Sequence, residues 1–248
     1  MMAQDGAMER SSYVTSVRAD AERLLAAAAP GALDRPVPTC PGWTVERLVG
    51  HLGRVHRWTA GWVATGAGPE IERPPAGPDV MRWTRAGTDE LVAALAGEGG
   101  DGTVATWAGP QPASFWPRRM AIETAIHRWD AENAVGAAGP IAVDLAVDGV
   151  HELLSVILPF RGTGDLGPAG ATIHIHATDP DVSGGEWLVT VADGGGVTVE
   201  PVHAKGDVAV RGPASDLLLL LYNRVGTDGC QVFGDESLLA RWRTAVAV

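Results

Sequence analysis

At 248 residues, 46% of them hydrophobic, the chain can form one large domain or two modest ones and is too apolar to be disordered. A formal net charge of -11 argues against nucleic acid or an anionic membrane as partner, because both require a basic surface. The two cysteines, Cys40 and Cys230, are far apart and form no CxxC, which excludes a disulfide scaffold or a Cys-rich zinc site and fits a reducing, cytoplasmic compartment.

The first residues, MMAQDGAMERSSYV, lack a basic start followed by an apolar run, so no signal peptide is expected. From Val14, apolar residues recur at Val17, Ala21, Leu24 and Leu25, the spacing of a helix, which Pro30 and Gly31 should end. PTCPGW, from Pro38, reads as a turn. Thr44 then caps a second helix with an inward stripe of Leu48, Leu52, Val55, Thr59 and Trp62. A Gly- and Pro-rich connection from Gly66 to Pro78 precedes a third helix over Val80 to Leu95, broken around Gly99 to Gly102. Ser114 and Pro117 suit the start of a fourth helix, running to about Val135 and stopping at Gly136. Four helices with short or moderate loops imply a bundle.

The character changes near residue 139. After a helix around Leu145 to Leu158, the segments ATIHIHAT, EWLVTVAD, GVTVEPV and GDVAVRG alternate as strands do, with Gly-rich turns between them. Helices over Ala214–Tyr222 and Glu236–Arg243 follow. The fold class is therefore α+β in two domains, residues 1–138 and 139–248, the second with an antiparallel sheet. The longest apolar stretches, such as LLLLLY from Leu217, are too short to cross a bilayer.

ETAIHRWDAENAVG, in the fourth helix, places Glu123 and His127 four residues apart, as neighbours on one face. With Met120, Thr124, Asp130, Ala131 and Ala134 they make a mixed polar and small face; Ile122, Ile126 and Trp129 lie opposite, and Trp116 falls over the first turn of the mixed face. On the second helix His51 projects within the apolar stripe. His56 projects about 100° from the centre of that stripe, as an edge or surface residue. An imidazole nitrogen buried without a partner is costly. If the two faces meet, one divalent cation would satisfy His51, Glu123 and His127 together. Such a set suits zinc, and three protein ligands leave a position open for catalysis. A hydrogen bond or ion pair between Glu123 and His127, and a satisfied core histidine at His51, remain the simpler alternatives.

VPTCPGWTVERLVGHLG, which contains His51, closely resembles the second-helix signature of the mycothiol-dependent maleylpyruvate isomerase family, and ETAIHRWDAENAVG looks like its fourth-helix signature. GDVAVRGPASDLLLLLYNR and VFGDESLLARW resemble its smaller C-terminal domain, so the likeness spans nearly the whole chain in order. The resemblance implies a DinB-like four-helix bundle followed by an α+β domain related to sterol-carrier proteins. It implies His51, Glu123 and His127 as ligands of zinc or another divalent metal, and mycothiol as cofactor. It implies Arg224 as a residue holding a carboxylated substrate, although Asn223 stands where family members often have Gly, which leaves room for a different substrate. Arg224 as a cap on the preceding helix is the alternative. Asp130 either orients a ligand or binds the thiol cofactor, or pairs with an arginine.

The chemistry implied is thiol activation. A free thiol is only about 3% ionised at neutral pH, and zinc deprotonates a bound thiol outright. In an isomerase the thiolate adds to an activated double bond, the adduct rotates, and the thiol leaves; an S-transferase releases the adduct. Both take a small-molecule thiol and a small electrophile as partners. A non-catalytic protein binding a metal or an apolar ligand is the reading from another class. His56 as a fourth ligand would favour it, because structural zinc sites have four. Cys40, before the second helix, reads as a turn residue, His174 and His176 as a solvated or half-buried strand face, and Trp58 and Trp116 as walls of a cavity.

Overall fold

The computed structural model describes residues 8–29, 31–97, 102–162, 164–180, 182 and 184–246. Pro30 and the break at residues 99–101 lie outside them, as does most of the N-terminal segment. Two compact units divide the chain, Glu9–Gly139 and the part from Pro140 onward. No helix among the described residues is long and apolar enough to cross a membrane.

The first unit is built from α1 (Arg10–Ala27), α2 (Val45–Thr65), α3 (Asp79–Leu95) and α4 (Phe115–Ala134). Thr44 opens α2 by accepting a hydrogen bond from the Arg47 N–H, and Gly66, in the left-handed conformation, closes it. Leu24 and Leu25 from α1, Leu48, Val49 and Leu52 from α2, Val80 from α3 and Ala131 from α4 share one core. Helices α2 and α3 approach closely at Gly53, where an added Cβ would lie 2.6 Å from the Trp83 ring and 2.7 Å from the Thr84 hydroxyl. That hydroxyl donates to the Val49 carbonyl. A short hairpin, β1 (Thr103–Val104) and β2 (Gln111–Pro112), precedes α4 and has no counterpart in the sequence reading.

Helix α4 departs from the expected two-faced helix, being buried nearly all round from Phe115 to Glu132. Its charges are paired rather than solvated. Arg128 donates to Asp20 of α1 at 3.1 Å and to Glu132 at 2.9 Å, and Arg23 of α1 reaches both oxygens of Glu132. Arg128 also donates to the Gly139 carbonyl. Burial raises the Asp20 carboxyl pKa, and the two arginines oppose that shift. Removing one member would strand the others, which costs several kcal/mol in a buried network (about 3–5).

In the second unit α5 (Val143–Glu152) runs through a π-helical turn, Leu153–Ile157, into α6 (Leu158–Arg161). Pro159 lacks an N–H and cannot continue the ordinary ladder, which fits the wider turn before it. The sheet has the order β5-β4-β3-β6-β7, with β3 (Thr172–Ala177), β4 (Glu186–Val191), β5 (Val197–Glu200), β6 (Val208–Gly212) and β7 (Gln231–Gly234). Three pairings are antiparallel and one, β3 with β6, is parallel. Ile173, Ile175, Trp187, Val189, Val208 and Val210 form the buried face. The Trp187 indole donates to His151 of α5 at 3.4 Å, so this is the helix-bearing side. Helix α7 (Ala214–Leu221) and α8 (Ser237–Ala245) complete the unit, tied where the Trp242 indole donates to the Leu221 carbonyl.

Candidate metal centre

His51 on α2 and Glu123 and His127 on α4 converge. Their ligand atoms all lie within 4.8 Å of one another. Glu123 Oε1 stands 3.5 Å from His51 Nε2 and 3.2 Å from His127 Nε2. The two imidazoles meet edge to face, 5.0 Å between centres, and Trp43 closes on the other side of His51 at the same distance. The trio draws on two helices: α4 supplies the i,i+4 pair and α2 supplies His51.

Around the trio stands a set of side chains that fixes its orientation. Arg119, one turn before Glu123, donates to Oε2 at 2.6 Å, leaving Oε1 toward both imidazoles. Asp130 takes His127 Nδ1 at 3.0 Å, which directs Nε2 at Glu123. The Thr39 hydroxyl donates to the other Asp130 oxygen at 2.6 Å, and Cys40 Sγ lies 3.7 Å from Oδ2. Burial alone would raise the Glu123 carboxyl pKa and lower that of His127. Their mutual attraction, with hydrogen bonds from His127 and His51 and the Arg119 charge, instead holds Glu123 well below the usual carboxylate range. The Glu123 charge and the Asp130 hydrogen bond carry His127 up to about 9.

Asp130 is fully enclosed, with its carboxylate against His127 Nδ1. Arg224 belongs to the second unit. Its N–H bonds to the Leu219 carbonyl and that of Asn223 to Leu220, the paired bonds of a Schellman ending to α7. Asn223 has φ 60°, a conformation open to Gly and tolerated by Asn, so the departure from Gly keeps the backbone path. The Arg224 guanidinium donates to the Tyr222 carbonyl at 2.8 Å, which is helix-end capping by the side chain as well.

His56 is a correction. It is wholly buried, with Nδ1 3.0 Å from the Thr88 hydroxyl of α3 and Nε2 3.0 Å from that of Thr124 of α4. Helix α2 packs on α3 as well as α4, so its buried arc is wider than one apolar stripe. Both ring nitrogens being engaged, His56 is a core histidine and not a fourth ligand. Desolvation lowers its pKa to about 3. Arg119 and Thr39 escaped the sequence reading altogether; the i,i+4 spacing of Arg119 to Glu123 was the available signal.

A cleft of about 720 Å³ opens beside His51, walled by Arg54, Val55, Trp58 and Ile71. Trp116 lines a different cavity, of about 370 Å³, with Trp62 and Arg10.

A helical unit that aims two imidazoles and a carboxylate at one point, followed by an α+β unit, defines a two-part protein with a candidate metal centre in its first half. Residues 14–132 match the model of the mycothiol maleylpyruvate isomerase N-terminal domain, and residues 144–241 match that of the C-terminal domain of the same family. The chain belongs to the mycothiol-dependent maleylpyruvate isomerase family. Among solved structures, the crystal structure of a mycothiol-dependent maleylpyruvate isomerase matches with a TM-score of 0.60 and 16% identity, covering 93% of this chain and 95% of that one. A histidine-to-alanine mutant of the isomerase matches with a TM-score of 0.59, the same identity and the same coverage. None of the curated protein sequences matches.

Proposed function

We propose that this chain is a mycothiol-dependent metalloenzyme in which His51, Glu123 and His127 hold a divalent ion, zinc by preference, and a small electrophile is isomerised cis to trans by reversible addition of the thiol. The observation that carries this reading is the convergence of the three donor atoms beside an open cleft. The donor set fits the ion. Nitrogen and oxygen ligands in tetrahedral array stand about 3.4 Å apart, and the two donor distances to Glu123 Oε1 are 3.5 and 3.2 Å. The carboxylate on His127 Nδ1 is the outer partner that metal-binding histidines commonly have.

The bound ion would supply the Lewis acidity that makes a thiol nucleophilic at neutral pH. The chain's own residues set the stage for that chemistry. Arg119 neutralises and immobilises the outer oxygen of Glu123. Asp130 holds the tautomer of His127 and positions its ring, which we assign to it in preference to direct contact with the cofactor. Trp43 limits the rotation of His51. Arg224 would bind the substrate carboxylate as a planar fork, with the Schellman turn setting its backbone. The domain division we propose puts the DinB-like bundle before residue 139 and the sterol-carrier-like part after it.

The test is zinc content of the wild type and of His127→Ala, followed by incubation of the loaded protein with mycothiol and maleylpyruvate. We expect one zinc lost in the variant, formation of the trans isomer, and recovery of free thiol. A persistent thiol adduct would make the protein an S-transferase. Unchanged zinc in His127→Ala, or no thiol-dependent reaction with this or other electrophiles, would overturn the proposal.

A further inference from the structure

A second gathering of imidazoles lies in the C-terminal unit, on the sheet face opposite the one that meets α5 through Trp187. Strand side chains alternate, so His174, His176 and Glu186 point away from the buried Ile175 and Trp187. The sheet order then brings in a third histidine. Strands β5 and β6 run parallel with two strands between them, so the chain from Glu200 to Val208 must recross β4 and β3. It crosses over the face that bears His174. At Gly206 the crossover runs so close to β3 that a Cβ would sit 2.9 Å from the His174 nitrogen. His203, within the crossover, is thereby set down on the cluster, 5.5 Å from the His174 ring centre.

The donors crowd one oxygen. Glu186 Oε2 stands 3.0 Å from His174 Nε2 and 2.5 Å from His203 Nδ1. Donor atoms of His174, Glu186 and His203 all lie within 4.8 Å of one another. His176 faces the other carboxylate oxygen at 3.6 Å and pairs across β6 with Arg211, so it is suited to hold the carboxylate rather than share a cation. Neutral imidazoles offer lone pairs, and two of them with a carboxylate make the nitrogen–oxygen set that zinc, nickel and copper favour.

We propose that His174, Glu186 and His203 bind a divalent first-row transition-metal ion, separate from the His51–Glu123–His127 trio, and that the ion fastens the Pro201–Asp207 crossover to the sheet. The ligands come from β3, β4 and the crossover, so one ion would cross-link three segments.

The test uses the full chain, stripped of metal and titrated with Zn²⁺ by calorimetry and native mass spectrometry. His203 is largely exposed, so His203→Ala leaves the fold intact, and Glu186→Gln keeps the shape of the carboxylate. We expect each variant to bind one equivalent fewer than the wild type, or to bind that equivalent at least tenfold more weakly. Wild-type chain should also show slower amide exchange at residues 201–207 when Zn²⁺ is added, and His203→Ala should not. Because the first trio is untouched in both variants, their loss reads the sheet site alone, whether or not the first trio binds metal. Identical titrations of wild type, His203→Ala and Glu186→Gln would show a hydrogen-bonded cluster only and overturn the proposal.

Discussion

The two imidazole–carboxylate clusters differ in what stands behind them. In the bundle every donor has its own support: Arg119 behind Glu123, Asp130 behind His127, Trp43 against His51. On the sheet, His174 and His203 both lean on Glu186 Oε2, and His203 is exposed. The first set of side chains is held from several sides without an ion; the second is held through one carboxylate oxygen. Preorganised donors suit a site that must keep its geometry while substrates come and go.

The largest expected effect breaks the comparison at its centres. Glu123→Gln should abolish stoichiometric metal in the bundle and reduce turnover to background, while Glu186→Gln should leave turnover near the wild-type level; parallel losses in both variants would mean that the clusters are not distinct. Next comes pH. The His56 imidazole stays neutral in the fold until about pH 3, but the unfolded chain takes a proton near 6.5. The unfolded state binds the extra proton between those values, so stability falls as the pH drops through that window, by roughly 1.4 kcal/mol per unit at most. Urea denaturation of metal-free protein at stepped pH should show a shallower fall in His56→Gln; equal slopes would assign the effect to other groups.

A smaller effect is expected one layer out. Asp130→Asn should weaken metal binding about 10–100-fold while the fold, by circular dichroism, is retained. His176→Ala in the sheet should cost less, since its carboxylate contact is the longest of the three. The smallest effect concerns the scaffold. Gly53→Ala would push α2 from α3 at the Trp83 ring and should cost about 1–3 kcal/mol in thermal or urea unfolding. It should lower metal affinity only as far as it moves His51.

Local chemistry made part of this legible from sequence. Thr44 marks the start of α2, and the four-residue spacing of Glu123 and His127 needs only helical geometry. What could not be read depends on neighbours. His56 is buried because α3 covers the flank of α2 that periodicity assigns to the edge. The charges of helix α4 find partners that its own sequence does not supply, Arg23 and Asp20 of α1. His203 belongs to a crossover without periodicity, and only the parallel pairing of β3 with β6 explains its arrival beside His174. Strand β7, four residues long, is exposed on most of its side chains and so gives little alternation to detect.

The ion network of α1 and α4 has a mechanical corollary. A helix advances 100° per residue, so slipping α4 by a single position would swing Glu123 and His127 away from His51 on α2. Glu132, gripped by Arg23, Arg128 and the Gly139 amide, lies little more than one turn beyond His127. It therefore indexes the rotation of the whole rod, much as a key locates a shaft, and the aim of an imidazole is decided partly by charges that never touch it.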